Sequence, residues 1–297
     1  MPVSKINGVN INWRTIGDRG KANHPWVVMT TGGRRGHDEF IPLAEKIARY
    51  GYRVMLHDRR NTGASDVLIA GDEGEEVIWT RDMHALLSEQ NALPAFFSGS
   101  SAGARTSILF YLNYPQAVRG LLLLRVTGGP FAAGRLPEQY YGQFIRAAKQ
   151  GGKEGGKEGG MAAVCAMEAW KERIAANPSN GEYLANLPAR KFIEVLTRWN
   201  EIFVAGGHYP VMGVSPEQLR AVKTPTIVIP GNDNTHSSAS GLAAHRLIAG
   251  SELHQLPITD QDVPLIPFPE WGRYEPEIAR VFAEFMARKV AAESRAA

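Results

Sequence analysis

The chain has 297 residues, 44% of them hydrophobic, which is enough to bury one large core. Its 33 basic and 30 acidic residues leave a formal net charge of +3, with no block of like charge suited to nucleic acid or to an anionic membrane. No apolar run approaches membrane-span length and the N-terminus has no apolar stretch of signal type, so a cytoplasmic location is the expectation, while the single Cys165 excludes an internal disulfide and reads as packing.

Strand-like and helix-like segments alternate along the chain, the pattern of a mostly parallel sheet with crossover helices. Ile11 to Ile16 alternates like a half-exposed strand. Val27 to Thr30 and Arg53 to Leu56 are short apolar runs ending in polar or Gly-rich turns, as buried parallel strands do. Phe40 to Ala48 has helical spacing, and Trp79 to Gln90 gives an amphipathic helix. Ala95 to Ser98 reads as a strand, Ala102 to Tyr114 as a helix and Gly120 to Arg125 as the next central strand. Residues 131–222 then interrupt the alternation. The expected organisation is an α/β core of residues 1–130 and 223–297 with a helical insertion between, carrying Trp170, Phe192, Trp199, Phe203 and the Tyr140-Tyr141 pair as its apolar surface. Within it, residues 151–160 repeat Gly-Gly-Lys-Glu. Glycines and alternating charges cannot pack a core, so a surface loop is expected there. Strands return at Thr226 to Gly231 and, more weakly, at Glu252 to Leu256. A last helix presents Ile278, Val281, Phe282, Phe285 and Met286 on one face.

Between the Ala95 strand and the helix that follows lies Gly99-Ser100-Ser101-Ala102-Gly103, a G-x-S-x-G pattern. A strand turning sharply into a helix holds its serine in a strained conformation, and small residues two positions either side let strand and helix approach. Ser101 would stand at a helix N-terminus, where free backbone N–H groups favour a developing oxyanion.

With these segments in this order, the chain resembles the α/β-hydrolase fold with a helical cap. Val27 to Phe40 is similar to the family strand and loop that usually begins His-Gly, here Thr31-Gly32. The resemblance implies that Gly33 donates one oxyanion N–H and Ala102 the second. Asp58-Arg59-Arg60-Asn61-Thr62-Gly63-Ala64-Ser65 resembles the family Asp-x-Arg-Gly-x-Gly-x-Ser loop, with Asn61 in place of the first Gly, and implies a structural role for Asp58 and Arg60. Gly231-Asn232-Asp233-Asn234-Thr235-His236 looks like the loop that carries the triad carboxylate, which falls on Asp233.

The family His normally follows the next strand. Here that region runs Leu256 to Pro264 without one, and no His follows His254. A serine hydroxyl without a base is a poor nucleophile, so another group must supply it or covalent catalysis is absent. His236, three residues beyond Asp233, is the first choice, His37 on the oxyanion loop the second, and Asp260 or Asp262 a weaker carboxylate base. His37 is also a candidate substrate contact, as is His208 in the cap. Arg34, Arg35, Arg105 and Arg125 fall in the pocket region and would clamp an anion if two of them face it, or else pair with Asp38, Asp58 or Asp82. No metal-ligand spacing and no G-x-G-x-x-G appear, so neither a metal nor a dinucleotide cofactor is expected. The leading expectation is a serine hydrolase of a small ester, lactone or related acyl compound, neutral or anionic. A lyase on the same scaffold and a small-molecule binding protein that has lost its base are the alternatives. The expected partner is a small-molecule substrate, with a homodimer left open.

Overall fold

The computed structural model describes residues 2–17, 24–150 and 160–296. Among them the sheet has eight strands: β1 (Val3–Ile6), β2 (Val9–Ile16), β3 (Trp26–Thr30), β4 (Arg53–His57), β5 (Ala95–Ser100), β6 (Val118–Leu124), β7 (Thr226–Ile229) and β8 (Glu252–Leu253). Their order is β1-β2-β4-β3-β5-β6-β7-β8. β1 and β2 pair antiparallel, as do β2 and β4, and every other pair is parallel. β1 is not among the strands predicted above. It forms a hairpin with β2 through Asn7 and Gly8, both at positive φ (47° and 82°), the backbone that a tight two-residue turn requires.

Helices cover both faces. On one side lie α1 (Ile41–Ala48) and the C-terminal helix; on the other lie α2 (Glu75–Glu89) and α3 (Ala102–Asn113). The strand period of two sorts the core between them. Val28, Met55, Phe97, Leu121 and Val228 meet Met83 and Leu86 of α2 and Ile108 of α3. Val27, Val54, Phe96, Leu122 and Ile227 meet Leu43 and Ile47 of α1, with Ile278, Phe282 and Phe285. Each such side chain contributes about 1.5–3 kcal/mol by burial. A one-residue register slip would exchange the two sets.

Between β6 and β7 the described chain is helical: α4 (Pro130–Pro137), α5 (Gln143–Gln150), α6 (Met161–Cys165), α7 (Glu168–Ala176), α8 (Ser179–Asn186), α9 (Ala189–Ala205) and α10 (Pro216–Ala221). Its apolar side chains, with Trp170, Phe192 and Trp199 fully buried among them, form a third cluster that also takes in Val67, Ile69 and Ile78. Most of the Gly-Gly-Lys-Glu repeat lies outside the described residues. α11 (Ser238–Leu247) and α12 (Glu275–Ala296) complete the fold. β8 is shorter than expected, and His254 follows it with Nε2 2.9 Å from Glu277 Oε1 on α12. No described helix is long and apolar enough to cross a membrane.

The turn from β5 into α3 depends on two glycines. A Cβ at Gly103 would stand 2.0 Å from the Thr30 carbonyl oxygen, and one at Gly99 would stand 2.2 Å from the Gly103 carbonyl carbon. Gly103→Ala is expected to lower stability by about 3 kcal/mol or more, because the clash is with main chain that cannot rotate away. Urea denaturation of the variant beside the parent checks this through the midpoint.

Candidate active site

Ser101 joins β5 to α3 at φ 58° and ψ −119°, a conformation that costs a non-glycine residue about 1–3 kcal/mol and that the surrounding packing imposes. Its N–H points to the carbonyls of Leu124 and Arg125 at the end of β6. Ser101 therefore stands at the C-terminal edge of the sheet, where open α/β sheets bind ligands. Ala102 opens α3, so its N–H has no intrahelical acceptor. Across from it the Gly32-Gly33 turn lies against the serine: a Cβ on Gly32 would be 3.1 Å from Ser101 Cβ and 3.7 Å from Oγ. Gly33 holds φ 47°, and Arg59 Nη2 fixes it by donating to its carbonyl at 2.8 Å.

These residues line a cavity of about 610 Å³, a size suited to a small molecule. Ser101 and His236 both line it, as do Arg34, Arg125, Leu136, Tyr140, Phe144 and Arg173, with Leu265 to Pro269 as another wall. Two residues past Arg125, the Thr127 hydroxyl hydrogen-bonds Ser101 Oγ at 2.9 Å, and the next residue, Gly128, pairs in parallel with the main chain of His236. The serine and the imidazole are thus anchored to adjacent residues of one segment.

His236 and Asp233 share the loop after β7. His236 Nδ1 lies 2.9 and 3.0 Å from the two Asp233 carboxylate oxygens, and Asp233 also accepts from the N–H groups of Thr235, His236 and Ile266 and from Arg125 Nη2. Burial alone would raise the Asp233 carboxyl. The His236 hydrogen bond and charge, the Ile266 N–H and Arg125 hold it instead well below the usual carboxylate range. Burial pushes the His236 imidazole below its ordinary value, against its bond to Asp233 and with the Arg125 charge adding to the push. With Nδ1–H committed to the carboxylate, Nε2 carries the lone pair, and it has no hydrogen-bond partner among the described residues.

The other candidate bases lie elsewhere. His37 is turned away: its main-chain N–H and Nδ1 are both on Asp58 Oδ1, at 2.6 and 2.9 Å, and it does not line the cavity. Asp58 also accepts from Ala64 N–H, so its loop role is structural. Asp260 and Asp262 are exposed and accept from Ser238 and Asn234. His208 is exposed beside Tyr209 and outside the cavity. The segment after β8 enters the site without an imidazole, sending Ile266 N–H to Asp233 and its carbonyl to Arg125.

Arg34, Arg105 and Arg125 are paired, but not with the aspartates first considered, while Arg35 is exposed. Arg34 lines the cavity with its guanidinium bidentate on buried Glu75, Arg105 is on Glu76, and Arg125 is on Asp233. Arg34 is therefore not a free anion clamp. Glu75 also accepts from Asn61 Nδ2 at 2.8 Å and the Tyr141 hydroxyl at 3.0 Å, linking the turn that carries Arg34 to the helical region between β6 and β7. Asn61 holds φ 65°, a conformation that asparagine tolerates. It therefore keeps the backbone of the family glycine while adding an amide that bonds Glu75 and Leu68 N–H. Glu75, Thr127 and Arg173 escape the sequence reading. Glu75 sits in an acidic stretch opening a helix, which looks like ordinary helix-end charge.

No family model matches the chain. Among curated proteins it is 24% identical over 119 residues to a proline iminopeptidase of Lactiplantibacillus plantarum, covering 40% of this chain and 42% of that protein. It is 30% identical over 131 residues to the sn-1-specific diacylglycerol lipase ABHD11 of Mus musculus, covering 44% and 40%. The chain thus matches about two-fifths of the length of these relatives. Among solved structures, an enol-lactonase from Burkholderia xenovorans LB400 superposes with a TM-score of 0.62 at 17% identity, over 96% of this chain and 100% of that one. The strand order, the turn at Ser101 and this likeness define an α/β-hydrolase-fold protein with a helical cap.

Arg125→Met is expected to move the His236 titration upward, because it removes a positive charge next to the ring. Histidine proton shifts followed by NMR across pH measure this, and an unchanged midpoint would show that burial alone sets the value.

Proposed function

We propose that the protein is a serine hydrolase of small esters, lactones or related acyl compounds. The observation that carries this reading is the pairing of a strained elbow serine with a carboxylate-bound histidine in one cavity, the imidazole Nε2 having no partner. Asp233 holds the tautomer, so Nε2 takes the Ser101 proton as Oγ leaves Thr127 and attacks the carbonyl carbon. The N–H groups of Gly33 and Ala102 receive the oxyanion. Collapse breaks the bond to the alkoxide, which takes the proton back from Nε2 and departs, or stays tethered when the substrate is a lactone. A water then gives its proton to Nε2 and attacks the acyl-enzyme; collapse of the second tetrahedral intermediate releases the acid, and Ser101 Oγ takes the proton from Nε2. The likeness to an enol-lactonase and to a lipase supports an acyl-oxygen bond as the target.

One feature favours a second reading. Ser101 Oγ bonds Thr127 and not His236, as in a site that binds without acylation or runs lyase chemistry through the oxyanion turn. Catalytic hydrogen bonds commonly tighten only with substrate in place, which keeps hydrolysis the better account.

Fluorophosphonate labelling mapped by mass spectrometry should modify Ser101. No labelling of folded protein would favour the second reading. His236→Ala should lower kcat/KM for 4-nitrophenyl acetate by about 10²–10⁴-fold, and a fully active variant would remove His236 from the mechanism. The base works unprotonated, so kcat/KM falls as pH drops through the His236 pKa, which burial has lowered. The acid limb should therefore have its midpoint below the ordinary histidine value of about 6.5. A midpoint at or above that value would point to another base.

A further inference from the structure

Among the described residues five cations line the cavity, Arg34, Arg35, Arg125, Arg135 and Arg173, together with the acidic residues Asp38, Glu39 and Glu172. Glu75 neutralises Arg34 and Asp233 neutralises Arg125, while Arg35 is exposed and Arg135 half-buried, both open to screening by water. Arg173, on α7 in the cap, is different. It is 5% exposed, has no ion-pair partner among the described residues, and leaves Nη1 buried without any hydrogen bond. Its guanidinium lies 4.4 Å from the centre of the Trp170 ring, and Phe144, Ala169 and Leu136 line the cavity with it.

We infer that Arg173 is a carboxylate subsite, so that the preferred substrates are acyl compounds bearing a carboxylate remote from the reacting carbonyl. The inference rests on the hydrolase reading for the word substrate, but not for the binding site itself. A buried cation without a counter-ion is costly, and an incoming anion relieves that cost. The planar fork matches a carboxylate in two parallel hydrogen bonds, and the Trp170 face fixes the plane of the fork. The surroundings add to the demand for negative charge. Arg59 is also buried, gives one nitrogen to the Gly33 carbonyl and leaves Nη1 without a partner. Burial, with repulsion from Arg34, depresses the Arg173 pKa to about 9 against the attraction of Glu75 and Glu172.

The test is calorimetric titration of the protein with hexanoate and with hexanamide, its neutral counterpart, repeated on Arg173→Met. Hexanoate should bind at least about tenfold more tightly than hexanamide, and Arg173→Met should erase the difference. Equal binding of the two ligands, an unaffected variant, or sulfate binding as tightly as hexanoate would overturn the carboxylate assignment. Arg173→Met should also keep or raise Tm, since it removes an uncompensated charge; a fall in Tm would mark a structural arginine. If the variant does not fold, the hexanoate and hexanamide comparison on the parent protein decides. Turnover separates this inference from the hydrolase reading. The parent should prefer 4-nitrophenyl hydrogen adipate to 4-nitrophenyl hexanoate, and Arg173→Met should lose that preference. Hexanoate binding without turnover of either ester would sink the hydrolase reading and leave the subsite standing. Equal turnover of both would do the reverse.

Discussion

At Gly103 the first turn of α3 presses on the end of β3 so closely that a single added carbon would stand 2.0 Å from the Thr30 carbonyl oxygen. That contact decides where the helix begins, and so forces the residue before it into a left-handed turn at the edge of the sheet. The strain at Ser101 is held there by the packing of two elements, whose burial outweighs it many times over. Once Ser101 is fixed, the Gly32-Gly33 turn on one side and the β6 end on the other have defined positions. The cavity takes its shape from those three strand ends and from the cap above them.

A second constraint is electrostatic and runs beneath the cap. Glu75 and Glu76 open α2 and turn inward, where they meet Arg34 and Arg105. Charges this deeply buried cost less when paired, so Arg34 and Arg105, which flank the Gly32-Gly33 turn and Ser101 in sequence, are consumed in ion pairs with α2. Arg173 differs from the paired arginines: it has no such partner among the described residues and shares the cavity with the serine.

The core strands were legible because buried parallel strands read as apolar runs: Val27 to Thr30 and Arg53 to Leu56 lie within observed strands, and Gly120 to Arg125 overruns its strand only by Arg125. The elbow was legible because steric demand writes itself as glycine. The Asp233 and His236 loop could be singled out because the two residues are near in sequence. Pairings across long separations carry no such local mark. Glu75 meeting Arg34, 41 residues away, or Thr127 meeting Ser101, 26 away, depends on the assembled sheet. His37 shows the converse: it lies on the right loop, yet its ring is captured by Asp58, which that loop needs to hold its own shape. β1 escaped because four residues alternating at an edge give a weak signal, although Asn7-Gly8 marks the hairpin turn.

In the usual arrangement of this fold the acid and the imidazole arrive from separate loops, and both loops must keep station for the pair to meet. Here four residues of one turn, Asp233 to His236, hold both, closed by main-chain N–H groups from Thr235 and His236 onto the same carboxylate. The pair is thereby held together within one turn. The segment after β8 braces that turn through main chain, with the Ile266 N–H on Asp233, the Val263 carbonyl on the Asn234 N–H and the Pro264 carbonyl on the Thr235 hydroxyl, and also serves as wall. Ile266 and Phe268 are buried in the core, but Leu265, Pro267 and Pro269 are exposed and can vary in size and polarity without touching that pair, so that the outline of the cavity mouth and the groups at its floor are free to evolve separately.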